Sequence, residues 1–182
     1  MLAYFFASVA TALTSFSECF TKTNPVRQRR ILLILIIGFA MLSSIRWGVG
    51  TDWDGYLNDF IHKSHTIKST WIGDSEVGIR VLSYIVRQLG GNFVTLNIVY
   101  SVIVGVSQYK AISYFGIEKN IDREDPMYSK TSSCTILMML WFIYFCNVFT
   151  TRSTIAYSVL LLSMVYADNK EFGKFIFCVV AA

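Results

Sequence analysis

Ile31-Leu-Leu-Ile-Leu-Ile-Ile-Gly-Phe-Ala-Met-Leu-Ser-Ser-Ile45 runs for fifteen residues without a charge, with Arg29-Arg30 before it and Arg46 after it. Its apolar residues are continuous; they neither alternate nor keep to one helical stripe. A helix hydrophobic all round reads this way. In hydrocarbon every backbone polar group needs an internal partner, so an unbroken apolar run points to a helix and not to a barrel strand. Fifteen residues are short against about 30 Å of hydrocarbon, so Trp47 is expected to mark the interface.

Comparable runs lie on both sides. The expected fold is an all-α polytopic transmembrane protein, with spans at about 2–20, 31–45, 93–115, 133–150 and 152–167. A sixth begins at 175–182, and one integral membrane domain covers 1–182. Composition agrees: 54% of the 182 residues are hydrophobic and 15% charged, against roughly 25% charged in soluble domains. The net charge of +4 is no nucleic-acid signal, because the basic residues sit between apolar runs, where they orient helices in a bilayer. Cys19, Cys134, Cys146 and Cys178 show no CxxC spacing and read as small packing residues. The first run has no basic region before it, so it reads as a retained helix and not a signal peptide. The last run holds eight residues, about 12 Å of helix. The chain is therefore expected to be the N-terminal half of a longer protein, and inactive if it is whole.

One segment differs. In Glu76–Leu89 the apolar residues Val77, Val81, Tyr84, Ile85 and Leu89 recur at helical spacing, while Arg80 and Arg87 share another face. Gly90-Gly91 bounds it. An amphipathic helix at the extracytoplasmic interface is expected here.

With that helix interfacial, three basic clusters fall on one side: Lys22/Arg27/Arg29/Arg30, Lys110/Lys119/Arg123/Lys130 and Lys170/Lys174. Short basic loops favour the cytoplasm. The basic loops of this membrane protein are thus expected inside. Arg46 and Arg152 then lie on the outer side, which basic residues usually avoid. Either can merely snorkel. Alternatively, the planar, permanently charged guanidinium grips a phosphate in bidentate fashion.

Asp52-Trp53-Asp54 has the D-x-D form, able to hold a cation or act as a base. It equally fits a helix start, with Thr51 as N-cap, Asp52 favouring the dipole, and Asp52, Tyr56 and Asp59 aligned. Glu76 can likewise open its helix. His62 and His65 lack a third ligand and read as solvated. Gly48-Val49-Gly50 is no phosphate loop, since no Gly-Lys-Ser/Thr follows.

Arg46-Trp-Gly-Val-Gly-Thr-Asp52, with Tyr56 and Phe60 beyond, resembles the R-aromatic-x-x-G-x-D…Y…F segment of EpsG-family proteins, Wzy-like membrane proteins of bacterial exopolysaccharide and capsule synthesis. Glu76-Val-Gly78 resembles their E-x-G element. Arg152-Ser-Thr-Ile-Ala156 resembles their R-Q-x-[IL]-A helix start, with Ser153 where Gln is usual. The resemblance implies a polymerase of undecaprenyl-diphosphate-linked oligosaccharide repeats, as in exopolysaccharide, capsule or O-antigen assembly, working with the bilayer and other assembly proteins. Arg46 and Arg152 would hold the diphosphate, Asp52 or Glu76 would serve the acceptor hydroxyl, and Trp47, Asp54 and Tyr56 would support. No cofactor or metal is implied. The alternatives are a lipid-phosphate-dependent glycosyltransferase using Asp52 and Asp54, and a non-enzymatic polysaccharide transporter or flippase subunit.

Overall fold

The computed structural model describes residues 2–20, 24–45, 53–63, 77–118 and 151–182. All regular structure among them is helical. We number the helices α1 (Leu2–Phe20), α2 (Pro25–Ile45), α3 (Trp53–Asn58), α4 (Val77–Gln88), α5 (Phe93–Ser113), α6 (Thr151–Asp168) and α7 (Phe172–Ala181). A π-turn, Asp59–Lys63, continues α3, and a second, Tyr114–Glu118, continues α5.

Local chemistry sets several boundaries. The helix expected to begin at Ile31 begins at Pro25, because Asn24 caps it: the Val26 amide donates to Asn24 Oδ1 at 3.0 Å. Proline suits the first helical position, where its missing N–H costs nothing. Arg27, Arg29 and Arg30 therefore belong to the helix and not to a loop before it. The α4–α5 connection is equally determined. The Gly91 amide reaches Val86 O at 2.9 Å and the Gly90 amide reaches Arg87 O at 3.0 Å, with Gly90 at φ +77°. This is a Schellman stop, and it needs a left-handed residue. Asn92 then caps α5, accepting from the Thr95 amide at 3.0 Å while Thr95 Oγ1 accepts from the Asn92 amide.

α5 is the central helix. α2 packs along it, with Ile36 facing Gly105 so closely that a Cβ there would stand 3.2 Å from Ile36 Cγ2. Arg29 meets Glu118 at 2.9 Å, so the two helices run antiparallel. α6 lies on another side of α5 and runs parallel to it. Ile155 packs near the start of α5, and Tyr114 meets Asp168 beyond its end. α7 folds back on α6, and α1 packs on α2.

The all-helical expectation holds, but the spanning one is overturned. Among the described residues no helix is long and apolar enough to cross a membrane. The reasons can be read helix by helix. The uncharged part of α2 amounts to about 22 Å at 1.5 Å per residue, and three arginines occupy its first turns. Ser8, Thr11, Thr14, Ser15, Ser17 and Glu18 punctuate α1. Thr95, Asn97, Ser101, Ser107, Gln108 and Lys110 punctuate α5. Serines and a threonine interrupt α6, and α7 has ten residues. The span expected at 133–150 lies outside the described residues.

The amphipathic helix forms, but it turns its other face inward. Arg80, Ser83 and Val86 are buried, whereas Ile85 is 45% and Leu89 82% exposed. Tertiary packing chose this face. Ile79, Leu82 and Val86 find Phe60 and Phe93 waiting, and Arg87 finds two backbone carbonyls.

Candidate functional site

The start of α5 carries an aromatic cluster. Phe60, Val86, Phe93, Leu96 and Tyr100 are buried together, and Trp53, Tyr56, Leu57, Ile79, Leu82 and Ile155 pack around them. Phe93, Leu96 and Tyr100 stand at i, i+3 and i+7, one face of α5. Trp53 meets the Phe93 ring edge to face at 5.8 Å between centroids, and Phe60 lies 5.9 Å from it. Both distances suit favourable ring pairs. Arg87 ties α4 to the π-turn: its Nη1 donates to Phe60 O at 2.6 Å and Ile61 O at 2.9 Å. The same guanidinium stands 5.8 Å from the Phe60 ring centroid, within cation–π reach.

Polar groups are sealed into this cluster. Arg80 is 6% exposed, a rare state for arginine. Asn97 Nδ2 and the Tyr100 hydroxyl are buried and make no hydrogen bond among the described residues. Burial pushes the Tyr100 phenol well above its usual range, with Ser83 opposing and Tyr56 adding to the shift.

The residues singled out in the sequence stand as follows. Arg46, Trp47, Asp52 and Glu76 lie outside the described residues. Arg152 is the second residue of α6, and its side chain also lies outside what is described. Asp54 is exposed in the first turn of α3. Tyr56 is half-buried against the cluster. The helix begins at Trp53 with Asp54 in its first turn; Thr51 and Asp52, on which the helix-start and D-x-D readings both turn, lie outside the described residues. Among the described residues no group of three His, Cys, Asp or Glu gathers to hold a metal. His62 is exposed, and Cys178 is a buried free thiol.

Three of the adjoining helix ends fall at one pole. Ile45, next to Arg46, ends α2. Trp53, next to Asp52, begins α3. Val77, next to Glu76, begins α4, and Arg152 lies in the first turn of α6. Because α2 is antiparallel and α6 parallel to α5, the end of α2 and the start of α6 both fall at the Phe93 pole. α3 packs onto that same pole, whereas α4 reaches it by its other end, at Val86 and the Gly90-Gly91 turn.

Sequence reasoning missed Arg80, Arg87, Asn97 and Tyr100 as members of this pole. The i, i+3, i+7 spacing on α5 was a usable signal for Tyr100. The two arginines gave none, since they read as a solvated face.

Residues 29–182 match the model of the EpsG family. No curated protein and no solved structure is matched.

Proposed function

We propose a function from one premise: the chain belongs to the EpsG family. Membership suggests a polysaccharide-polymerase type of role. The finer reading is a Wzy-like polymerase that transfers a growing glycan from undecaprenyl diphosphate to a sugar hydroxyl of another lipid-linked repeat. In that step the bond from the glycan's anomeric carbon to the diphosphate oxygen breaks. The acceptor oxygen takes its place, and its proton passes to a carboxylate, Asp52 or Glu76. Arg46 and Arg152 hold the departing diphosphate, whose negative charge grows as the bond opens. Trp47, Asp54 and Tyr56 support the pocket.

The observation that carries this reading is the gathering of three helix ends at the Phe93 pole, those that hold or adjoin Arg46, Asp52 and Arg152, although these residues are far apart in sequence. The half-buried rings of Trp53 and Tyr56 offer apolar faces with polar edges there. A place at the bacterial cytoplasmic membrane, in company with other assembly proteins, belongs to the same proposal. Large exposed apolar side chains support it, among them Phe5 and Phe16 on α1, Ile34 on α2, and Phe177 and Val180 on α7.

The test is complementation of a strain that lacks its own copy. Arg152→Ala and Arg46→Ala are each expected to cut polymer formation by about 10- to 100-fold, the effect of a lost charge-assisted contact. Lysine at either position keeps the charge but not the fork, so it should restore only part. Polymer of normal amount and length from the double alanine variant would sink the proposal. Loss of activity in EDTA together with intolerance of Asp54→Asn would favour the metal-dependent glycosyltransferase instead.

A further inference from the structure

The pole opposite Phe93 has a cavity of about 370 Å³, lined by residues of α2, α5, its π-turn, α6 and α7. That volume lies within the usual range for small-molecule sites. Each of the three basic clusters contributes one cation to it: Arg29, Lys110 and Lys174. Among the described residues Glu118 is the one carboxylate in the lining, and it holds Arg29 at 2.9 Å. Glu171 pairs with Lys174, which also stands 5.4 Å from the Tyr166 ring centroid. The Tyr114 hydroxyl donates to Asp168 and lies 3.0 Å from Asn169 Oδ1. Tyr109 completes a set of three tyrosines around the opening.

One observation marks the cavity: the helix departs from α geometry directly after Ser113. The π-turn Tyr114–Glu118 carries both Tyr114 and Glu118 into the lining, and such turns are frequent at functional sites.

We propose that this cavity binds a small phosphate ester carried on a ring, a sugar phosphate or a nucleoside phosphate. Lys110 faces the phosphate, joined by Lys174 when it leaves Glu171 and by Arg29 when it leaves Glu118. The tyrosine faces receive the ring. The site stands apart from the Phe93 pole and does not rest on the polymerase reading.

Titration of the purified full chain tests it, using glucose 1-phosphate, uridine monophosphate, inorganic phosphate and glucose as separate probes. One ring phosphate is expected to bind at least about tenfold more tightly than either inorganic phosphate or glucose, since it engages both halves of the site. Which of the two ring phosphates wins identifies the source. Lys110→Gln should weaken that binding about tenfold. Glu118→Gln, by releasing Arg29, should tighten it. Ring phosphates that bind no better than inorganic phosphate or glucose overturn the proposal, as does weaker binding in Glu118→Gln. The wild-type comparison is decisive even if a variant fails to fold.

Discussion

The two poles of the bundle are held together by different physics. At the Phe93 pole, aromatic rings pack around an enclosed centre, and Arg87 is bound to backbone carbonyls. At the opposite pole, Arg29 and Glu118 pair with their side chains nearly half exposed, around an open cavity. Enclosure makes every contact at the first pole strong and every orphaned polar group costly. Water screens the second pole, so its ion pairs hold little stability and can exchange partners. One end is built to stay in place and the other to let a ligand compete.

The sharpest way to break this contrast is Phe93→Ala. Phe93 touches both Trp53 and Phe60, so its loss should cost about 3–5 kcal/mol in chemical denaturation. A cost below about 1 kcal/mol would mean that the aromatic pole is loose. Arg87→Ala comes next. It strips two carbonyls of a charged donor and should cost about 1.5–3 kcal/mol. Its counterpart, Arg29→Gln, should cost at most about 1 kcal/mol and become indistinguishable from wild type in high salt. Equal costs for the two arginines would erase the distinction between the poles.

A smaller effect concerns the turn between α6 and α7. Lys170 sits at φ +60° in a Schellman stop, with its amide on Ala167 O and the Glu171 amide on Tyr166 O. Lys170→Gly should therefore stabilise by about 0.5–1 kcal/mol, read as a raised melting temperature.

The smallest effect at neutral pH is that of Tyr100→Phe. The hydroxyl makes no hydrogen bond among the described residues, so its removal should be nearly neutral at pH 7. Its pH signature is distinct. Burial raises the folded pKa above the unfolded value of about 10. Above that pH the unfolded chain loses the proton while the folded chain keeps it. Stability is then complete below about pH 10 and falls as pH rises beyond it. The phenylalanine variant should lose less stability across that window in alkaline denaturation.

Much of the helix layout was legible from apolar runs and punctuation alone. Leu2–Phe20 coincides with its expected range, and α6 differs from its own by a residue at each end. Gly90-Gly91 ended α4 because a Schellman turn needs a left-handed residue there. α2 starts six residues before the apolar run because Asn24 caps it and Pro25 suits its first turn, a local signal that hydrophobicity does not carry. The spanning reading failed because continuous runs were weighed by hydrophobicity, without counting the hydroxyls and charges that interrupt each helix. The buried face of α4 was misread because amphipathicity identifies a stripe but not the surface that will meet it.

The order of residues along the chain determined the local physics here: where backbones turn helical, where caps and glycines stop them, and where cations cluster. These follow from neighbours within a turn or two, which the sequence states outright. The meeting of Arg29, Lys110 and Lys174 around one cavity is a different matter, and so are the burial of Arg80 and the gathering of three helix ends at Phe93. They depend on α2 lying antiparallel and α6 parallel to α5. Long-range packing sets those directions by matching side-chain shapes, such as Ile36 against Gly105, and no short stretch of sequence contains both halves of such a match.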